Sequence, residues 1–198
     1  MSNSLCVDYV IVGAGIIGLS IARELTNKYP QAKIVVLEKE SKLGLHASGR
    51  NSGVLHSGIY YAEGSLKAKL CLEGSRAMAA YCDQYKLPIN RIGKVIVPQK
   101  DTDAPVLEML YRRALSNGAQ VCLISQKELQ EIEPQTKSAT EFSLFSPETS
   151  VIDPQVILSH LYQNLLKKNV TFYFNNFCSQ INTTQKKISI NNQDVSYN

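Results

Sequence analysis

The sequence predicts an α/β fold in which a parallel-sheet domain is interrupted by a segment of different style. Three observations predict it. Residues 7–38 spell strand, glycine turn, helix, strand. Residues 154–174 repeat the helix-then-strand order. Between them, from about residue 88 to residue 150, short strands mix with turns and one helix.

Each element has a local cause. Val7-Asp-Tyr-Val-Ile-Val12 is a run of β-formers that leads directly into Gly13-Ala-Gly-Ile-Ile-Gly18. A helix follows from Ile16 to about Tyr29, with Ile17, Ala22 and Leu25 at helical spacing, and Pro30 stops it. Lys33-Ile-Val-Val-Leu37 is the second strand. Residues 44–64 are rich in glycine, serine and asparagine, which implies exposed backbone or close approach to another group. Residues 65–86 read as a helix with Ala68, Leu72, Ala79 and Ala80, ending near Leu87-Pro88. Arg91–Val97 is a strand, and Asp103–Asn117 a helix closed by Gly118. Residues 119–150 mix turns with short strands at Val121–Ile124 and Phe142–Phe145. A further helix spans about Pro154 to Lys168, with Asp153 as its cap and proline at its first position. Val170–Phe174 is a third strand of the α/β kind, and Gln185–Asn198 alternates like a small β-meander.

Composition excludes several classes. The 198 residues amount to one domain, or one and a fraction. Hydrophobic residues make up 44% and charged residues 19%, enough for a core and against wholesale disorder. No apolar run approaches the ~20 residues of a membrane-spanning helix, and the first residues carry no secretory-signal pattern. The net charge of +4 comes from scattered lysines and arginines, the longest runs being pairs such as Arg112-Arg113, Lys167-Lys168 and Lys186-Lys187. With no basic stripe interleaved with aromatics, no nucleic-acid surface is expected. Five cysteines, Cys6, Cys71, Cys82, Cys122 and Cys178, include no C-x-x-C pair. Most of them sit beside apolar residues and read as small core hydrophobes, which fits a reducing cytosol, with no metal site expected.

The chemistry concentrates at Gly13, Gly15 and Gly18, which match G-x-G-x-x-G between a strand and a helix. Glu38 ends the next strand about 20 residues further on, completing the dinucleotide-binding pattern. Gly13 permits the tight turn, Gly15 lets a pyrophosphate approach the backbone, and Gly18 lets the helix pack closely on the strand. The N–H groups and positive end of the helix would face the phosphates. Glu38 is placed to accept hydrogen bonds from adenosine ribose hydroxyls, and its charge argues against the extra phosphate of NADP.

The fingerprint leaves NAD and FAD both open. The segment Gly44–Tyr61 narrows the choice, being long, polar and glycine-rich where a simple NAD domain would pass straight into another helix. Its His46-Ala-Ser-Gly-Arg-Asn-Ser-Gly-Val-Leu-His-Ser-Gly-Ile-Tyr-Tyr61 resembles the FAD-dependent D-amino-acid-oxidase-like superfamily, within it the L-2-hydroxyglutarate oxidase/dehydrogenase branch. Gly64–Gly74 and Ser146–Pro154 continue the likeness, which spans essentially the whole chain and is thinnest after about residue 175.

The resemblance implies a Rossmann-like, glutathione-reductase-like FAD-binding domain, a parallel sheet plus β-meander, interrupted by part of an α+β substrate domain. Residues 1–87 and 151–198 would be the two parts of the first, and residues 88–150 the partial second. Gly13, Gly15 and Gly18 would hold the FAD pyrophosphate and Glu38 the adenosine ribose. Ser48, Asn51 and Ser52 would line the pyrophosphate and ribityl side, and His56 with Gly58 would sit close to the isoalloxazine ring. The implied reaction oxidises a small 2-hydroxy acid to a 2-oxo acid by hydride transfer to flavin N5, with oxygen or a quinone as the electron acceptor. His56 is the candidate catalytic acid/base or flavin contact, and the reading that it only packs and hydrogen-bonds beside the cofactor stays open. Arg50 and Arg91 are available as carboxylate anchors. Tyr60 and Tyr61 could reach the substrate side or simply pack; His46 reads as a loop hydrogen-bonder and His160 as structural. The alternatives are a relative that oxidises an amino acid or glycerol 3-phosphate, and a truncated, non-catalytic FAD-binding piece. The expected location is cytoplasmic, or peripheral to the inner face of a membrane. Because members of the superfamily need roughly twice this length for a flavin fold plus substrate layer, the chain reads as the N-terminal half of a larger protein. Unpaired strand edges, exposed apolar faces and weak or absent activity alone are then expected.

Overall fold

The computed structural model describes residues 7–185, 187–191 and 193–196. Cys6 and Lys186, and the positions Asn192, Tyr197 and Asn198 of the expected meander, lie outside the described residues. In chain order the strands are β1 (Tyr9–Val12), β2 (Ile34–Leu37), β3 (Val54–Leu55), β4 (Ile89–Asn90), β5 (Lys94–Ile96), β6 (Cys122–Ser125), β7 (Phe142–Ser146), β8 (Ser150–Ile152), β9 (Val170–Tyr173), β10 (Cys178–Asn182), β11 (Lys187–Ile190) and β12 (Gln193–Ser196). The helices are α1 (Ile16–Lys28), α2 (Leu66–Tyr85), α3 (Ala104–Ser116), α4 (Gln126–Ile132) and α5 (Pro154–Leu166). Two compact units emerge. One joins the residues up to Asn51 with those from Pro154 onward, and the other is Ser52–Asp153.

The first unit is the α/β one. Its parallel sheet has the order β1-β2-β9, with Ile34 to Leu37 in register between Tyr9 to Val12 and Val170 to Tyr173. All four residues of β2 are buried, as a central strand covered on both faces requires. Val35 and Leu37 pack with Val7 and Ile188 in one cluster, so the antiparallel sheet β10-β11-β12 lies over that face. The period-two rule turns Ile34 and Val36 to the other face. Helices α1 and α5 pack against each other and bury Leu19, Ala22, Ile157, Leu158, Leu161 and Leu165. Tyr162 adds edge-on ring contacts to Phe172 and Phe174. Among the described residues β1 pairs only with β2, and near that edge Val12 and Ile17 are exposed at 52% and 73%.

The second unit holds two small antiparallel sheets, β3-β8-β4 and β5-β7-β6. Its core gathers Ile59, Leu72, Leu107, Leu110, Ala114 and Leu144 from a loop, α2, α3 and β7. Helix α2 starts where the Ser65 side chain accepts from the Ala68 amide, and it ends at Lys86 in the left-handed region. This helix, which the sequence reading grouped with residues 1–87, belongs to the compact unit of Ser52–Asp153.

Three local expectations need correction. Residues 126–132 form α4 rather than turns and strands, because Ser125 and Glu128 make a reciprocal capping box. The meander starts at Cys178, before Gln185, with a bulge between Cys178 and Gln180. Cys82 is fully buried, but Cys122 is exposed on β6 and Cys71 and Cys178 are half-buried, so the core-hydrophobe reading holds for one of the four described cysteines. All four are free thiols. No helix among the described residues is long and apolar enough to cross a membrane.

Ser143 on β7 is 1% exposed, and its Oγ has no partner among the described residues. Removing that hydroxyl removes a desolvation cost, so Ser143→Ala is expected to stabilise the protein by about 1 kcal/mol. An unchanged or lowered urea midpoint would contradict this.

Candidate functional site

In the first unit the site grows from the turn between β1 and α1. Gly13 takes φ +100°, a conformation that a side chain strains. A Cβ on Gly18 would lie 2.0 Å from the Gly13 carbonyl oxygen and 3.3 Å from Ile11 Cγ2, so helix and turn touch through the glycine. On Gly15 it would meet only the Ser48 side chain, with Oγ at 2.9 Å. The Gly13 amide donates to the Leu37 carbonyl at 2.7 Å, tying the turn to β2.

Glu38 and Ser48 both reach this turn. Glu38 Oε2 accepts from the Ala14 amide at 2.8 Å and Oε1 from the Glu40 amide at 2.9 Å. Ser48 Oγ accepts from the Ile16 amide at 3.0 Å, a cap supplied from 32 residues away. The amides of Gly15 and Ile17 have no protein acceptor among the described residues, and the first turn of α1 contains no acidic residue. Backbone donors and the positive helix end therefore converge where Cβ atoms are missing, an arrangement suited to a diphosphate. Each Glu38 oxygen has lone-pair capacity beyond its one backbone bond, so it can also accept from ribose hydroxyls. Asn51 donates through Nδ2 to the carbonyls of Ala47 and Ser48 at 3.0 Å each, bracing the short helical turn at Ala47–Gly49. His46 Nε2 lies 2.8 Å from Glu40 Oε1. That contact with His46 is the main cause lowering the Glu40 pKa. His46 is thus a loop hydrogen-bonder, as its sequence context implies.

The second unit brings together His56 and Gly58 but not Ser52. Ser52 is exposed, while His56 and Gly58 line a cavity of about 160 Å³ with Tyr60, Tyr61 and Lys94. Gly58 sits at φ +82°, and a Cβ there would press on the Ala68 carbonyl oxygen at 3.2 Å. Ser57 and Thr149 also line the cavity and are joined beneath it through Ser146, by hydroxyl contacts of 2.9 Å and 3.2 Å. Desolvation holds the His56 pKa below the ordinary histidine value, and the Lys94 ammonium pushes it the same way. His56 is therefore neutral near pH 7 and can accept a proton. Lys94 Nζ donates to the Tyr60 hydroxyl at 2.8 Å and stands 4.4 Å from the Tyr60 ring centroid. Both tyrosines line the cavity instead of only packing.

The two arginines singled out as carboxylate anchors do not enter this cavity. Arg91 is engaged by both Asp83 oxygens, at 2.6 Å and 2.7 Å. Arg50 is an exposed residue beside the Ala47–Gly49 turn. His160 lies on α5 near Asn164, with its pKa lowered by desolvation and then by Lys167. Sequence reasoning missed Lys94, since nothing local distinguishes it from a solvated strand lysine. Its one local mark is the neighbouring Gly93, at φ +71°, which immediately precedes β5.

Residues 8–195 match the profile of the FAD dependent oxidoreductase family. The chain belongs to that family, whose cofactor is FAD. It is 44% identical over 155 residues to L-2-hydroxyglutarate dehydrogenase, mitochondrial, of Nematostella vectensis, covering 77% of the chain and 34% of that protein. It is 38% identical over 160 residues to L-2-hydroxyglutarate dehydrogenase of Escherichia coli K12, covering 79% of the chain and 37% of that protein. The chain thus spans little more than a third of the curated relatives it matches. Among solved structures, L-alpha-glycerophosphate oxidase of Mycoplasma pneumoniae with FAD bound aligns over 97% of the chain and 52% of its own length. The TM-score is 0.85 and the identity 25%. Glycine oxidase of Geobacillus kaustophilus shares the fold at TM-score 0.84 and 18% identity, over 96% of the chain and 53% of its own. The α/β fold expected from sequence is that of these FAD-dependent oxidoreductases.

Proposed function

We propose that this protein takes part in the oxidation of a small 2-hydroxy acid, L-2-hydroxyglutarate, to the 2-oxo acid. The observation that carries the reading is a neutral His56 in a cavity with Lys94 and Tyr60, in a chain 38% to 44% identical to two L-2-hydroxyglutarate dehydrogenases. FAD, when bound, supplies the two-electron acceptor. Gly13, Gly15, Gly18 and the start of α1 hold its diphosphate, Glu38 its adenosine ribose, and Ser48 and Asn51 shape the neighbouring loop. Ser52 and Gly58 are the remaining residues assigned to FAD. The absence of a Cβ at Gly15 and the unpartnered amides of Gly15 and Ile17 support this assignment. His56 accepts the proton of the C2 hydroxyl, for which its lowered pKa keeps the ring neutral.

The test is direct. The purified protein, reconstituted with FAD, is mixed without oxygen with L-2-hydroxyglutarate, its D enantiomer, glycine or glycerol 3-phosphate. Loss of the flavin absorbance near roughly 450 nm with the L-2-hydroxy acid alone is the expected result. Bleaching by glycine or glycerol 3-phosphate instead would move the substrate assignment. A protein that retains FAD and is reduced by none of them would overturn the catalytic reading. Oxygen and a soluble quinone, added afterwards, identify the acceptor by which of them restores the colour.

A further inference from the structure

The cavity at His56 holds a cation to which the proposed reaction assigns no role. Lys94 is the one permanently charged side chain among its lining residues, and no carboxylate lines it among the described residues. One Lys94 N–H goes to the Tyr60 oxygen, at 2.8 Å, which leaves two ammonium donors. Because Tyr60 accepts in that bond, its own O–H is still available to donate. Lys67 stands 4.5 Å from the Tyr61 ring centroid, so a second cation adjoins the lining on the next residue. Arg113 donates to the Tyr60 carbonyl at 3.3 Å, adding a third. An anion entering here meets positive potential, oriented donors and buried hydroxyls at Ser57 and Thr149.

The cavity, of about 160 Å³, is roomy enough for a carboxylate and its neighbouring carbons.

We propose that Lys94 and Tyr60 form the anion anchor of this site, Lys94 as the charge and Tyr60 as the aligned O–H donor for one carboxylate of the acid substrate. The assignment rests on the proposed function for the identity of the substrate, and it replaces the arginines that sequence alone offered. Lys94 is here a specificity-determining residue, since a neutral ligand of the same shape leaves the ammonium without a counter-charge.

The experiment is an NMR titration of the ¹⁵N-labelled chain with sodium glutarate, a diacid that cannot be oxidised at C2. The Tyr60, Tyr61 and Lys94 amides are followed, with the neutral diamide of the same acid as control. Saturable shifts with glutarate and none with the diamide are expected. Lys94→Met, which keeps most of the stem, should raise the glutarate Kd at least about tenfold, the scale of a lost charge-assisted hydrogen bond. Lys94→Arg should restore it to within about threefold, and Tyr60→Phe should weaken it about threefold, one neutral hydrogen bond. If Lys94→Met loses the dispersion of its spectrum, Tyr60→Phe and the diamide control decide the matter. Absence of saturable shifts in the parent chain, or equal affinity in the variants, overturns the anchor. Glutarate binding that depends on Lys94, with no flavin reduction by L-2-hydroxyglutarate, would overturn the proposed reaction and leave the anchor standing. Flavin reduction with glutarate binding indifferent to residue 94 would do the reverse.

Discussion

Gly18→Val is expected to unfold the strand–turn–helix start of the first unit, at a cost of about 3 kcal/mol or more. The cause is contact with backbone, which cannot rotate away. The first side-chain atom alone would sit 2.0 Å from the Gly13 carbonyl oxygen and 3.2 Å from its carbon. Relief requires α1 to lift from β1, which breaks the burial of Leu19 and Ala22 on the following turn. Gly13→Ala is the informative comparison. That position has open space where a Cβ would stand but a φ of +100°, so strain alone costs about 1–3 kcal/mol. Urea denaturation followed by circular dichroism should rank Gly18→Val well below Gly13→Ala. Equal midpoints for Gly18→Val and the parent would mean that turn and helix do not touch through residue 18.

The second large effect is kinetic. His56→Gln keeps a polar side chain but removes the ring that accepts the hydroxyl proton. The rate of flavin reduction by the 2-hydroxy acid should fall about 10²–10⁴-fold, with retention of FAD unchanged. The pH profile gives an independent readout. The folded pKa of His56 lies below its ordinary value, through desolvation and then Lys94, so the ring is in its basic form at neutral pH. The parent rate should hold from alkaline pH down past the ordinary histidine value of about 6.5 and fall only at the lower folded pKa. Stability follows the same sign. The unfolded chain takes up the proton first, so stability present above about pH 6.5 is lost as pH falls through the folded pKa. His160 is shifted in the same direction, so the parent-minus-variant difference isolates His56. A variant with parent-like rate would return His56 to a packing role.

Much of this molecule was legible where the signal is local. The β1–α1–β2 segment is written in adjacent residues: β-formers, three glycines, an apolar helix stripe, a second strand. Pro30 and Pro154 mark helix boundaries through the same short-range rules. Helix α4 escaped because seven residues carry too little periodicity, although Ser125 and Glu128 hold the capping signal in plain view. The functional constellation was half legible. The glycines and Glu38 stand at fixed spacing, whereas the cavity assembles residues 56–61 with Lys94 and Thr149. Those segments meet through antiparallel pairing of β5 with β7 and of β3 with β8, which no local pattern announces. Arg91 was available as an anchor by its charge, but Asp83, eight residues before it, accepts from its guanidinium with both carboxylate oxygens.

The hydrogen bond from Ala14 to Glu38 has a thermodynamic consequence for recognition. Together with the Gly13 bond to Leu37 and the Ile16 bond to Ser48, it holds the glycine turn in shape through the protein's own groups. Ordering a free backbone costs about 1–2 kcal/mol per residue, and here that entropy is lost during folding, not at the encounter with a ligand. A dinucleotide meeting a preorganised cradle keeps more of its contact energy as affinity. Loosening any of the three tethers should therefore appear as weaker FAD retention before it appears as a change in fold.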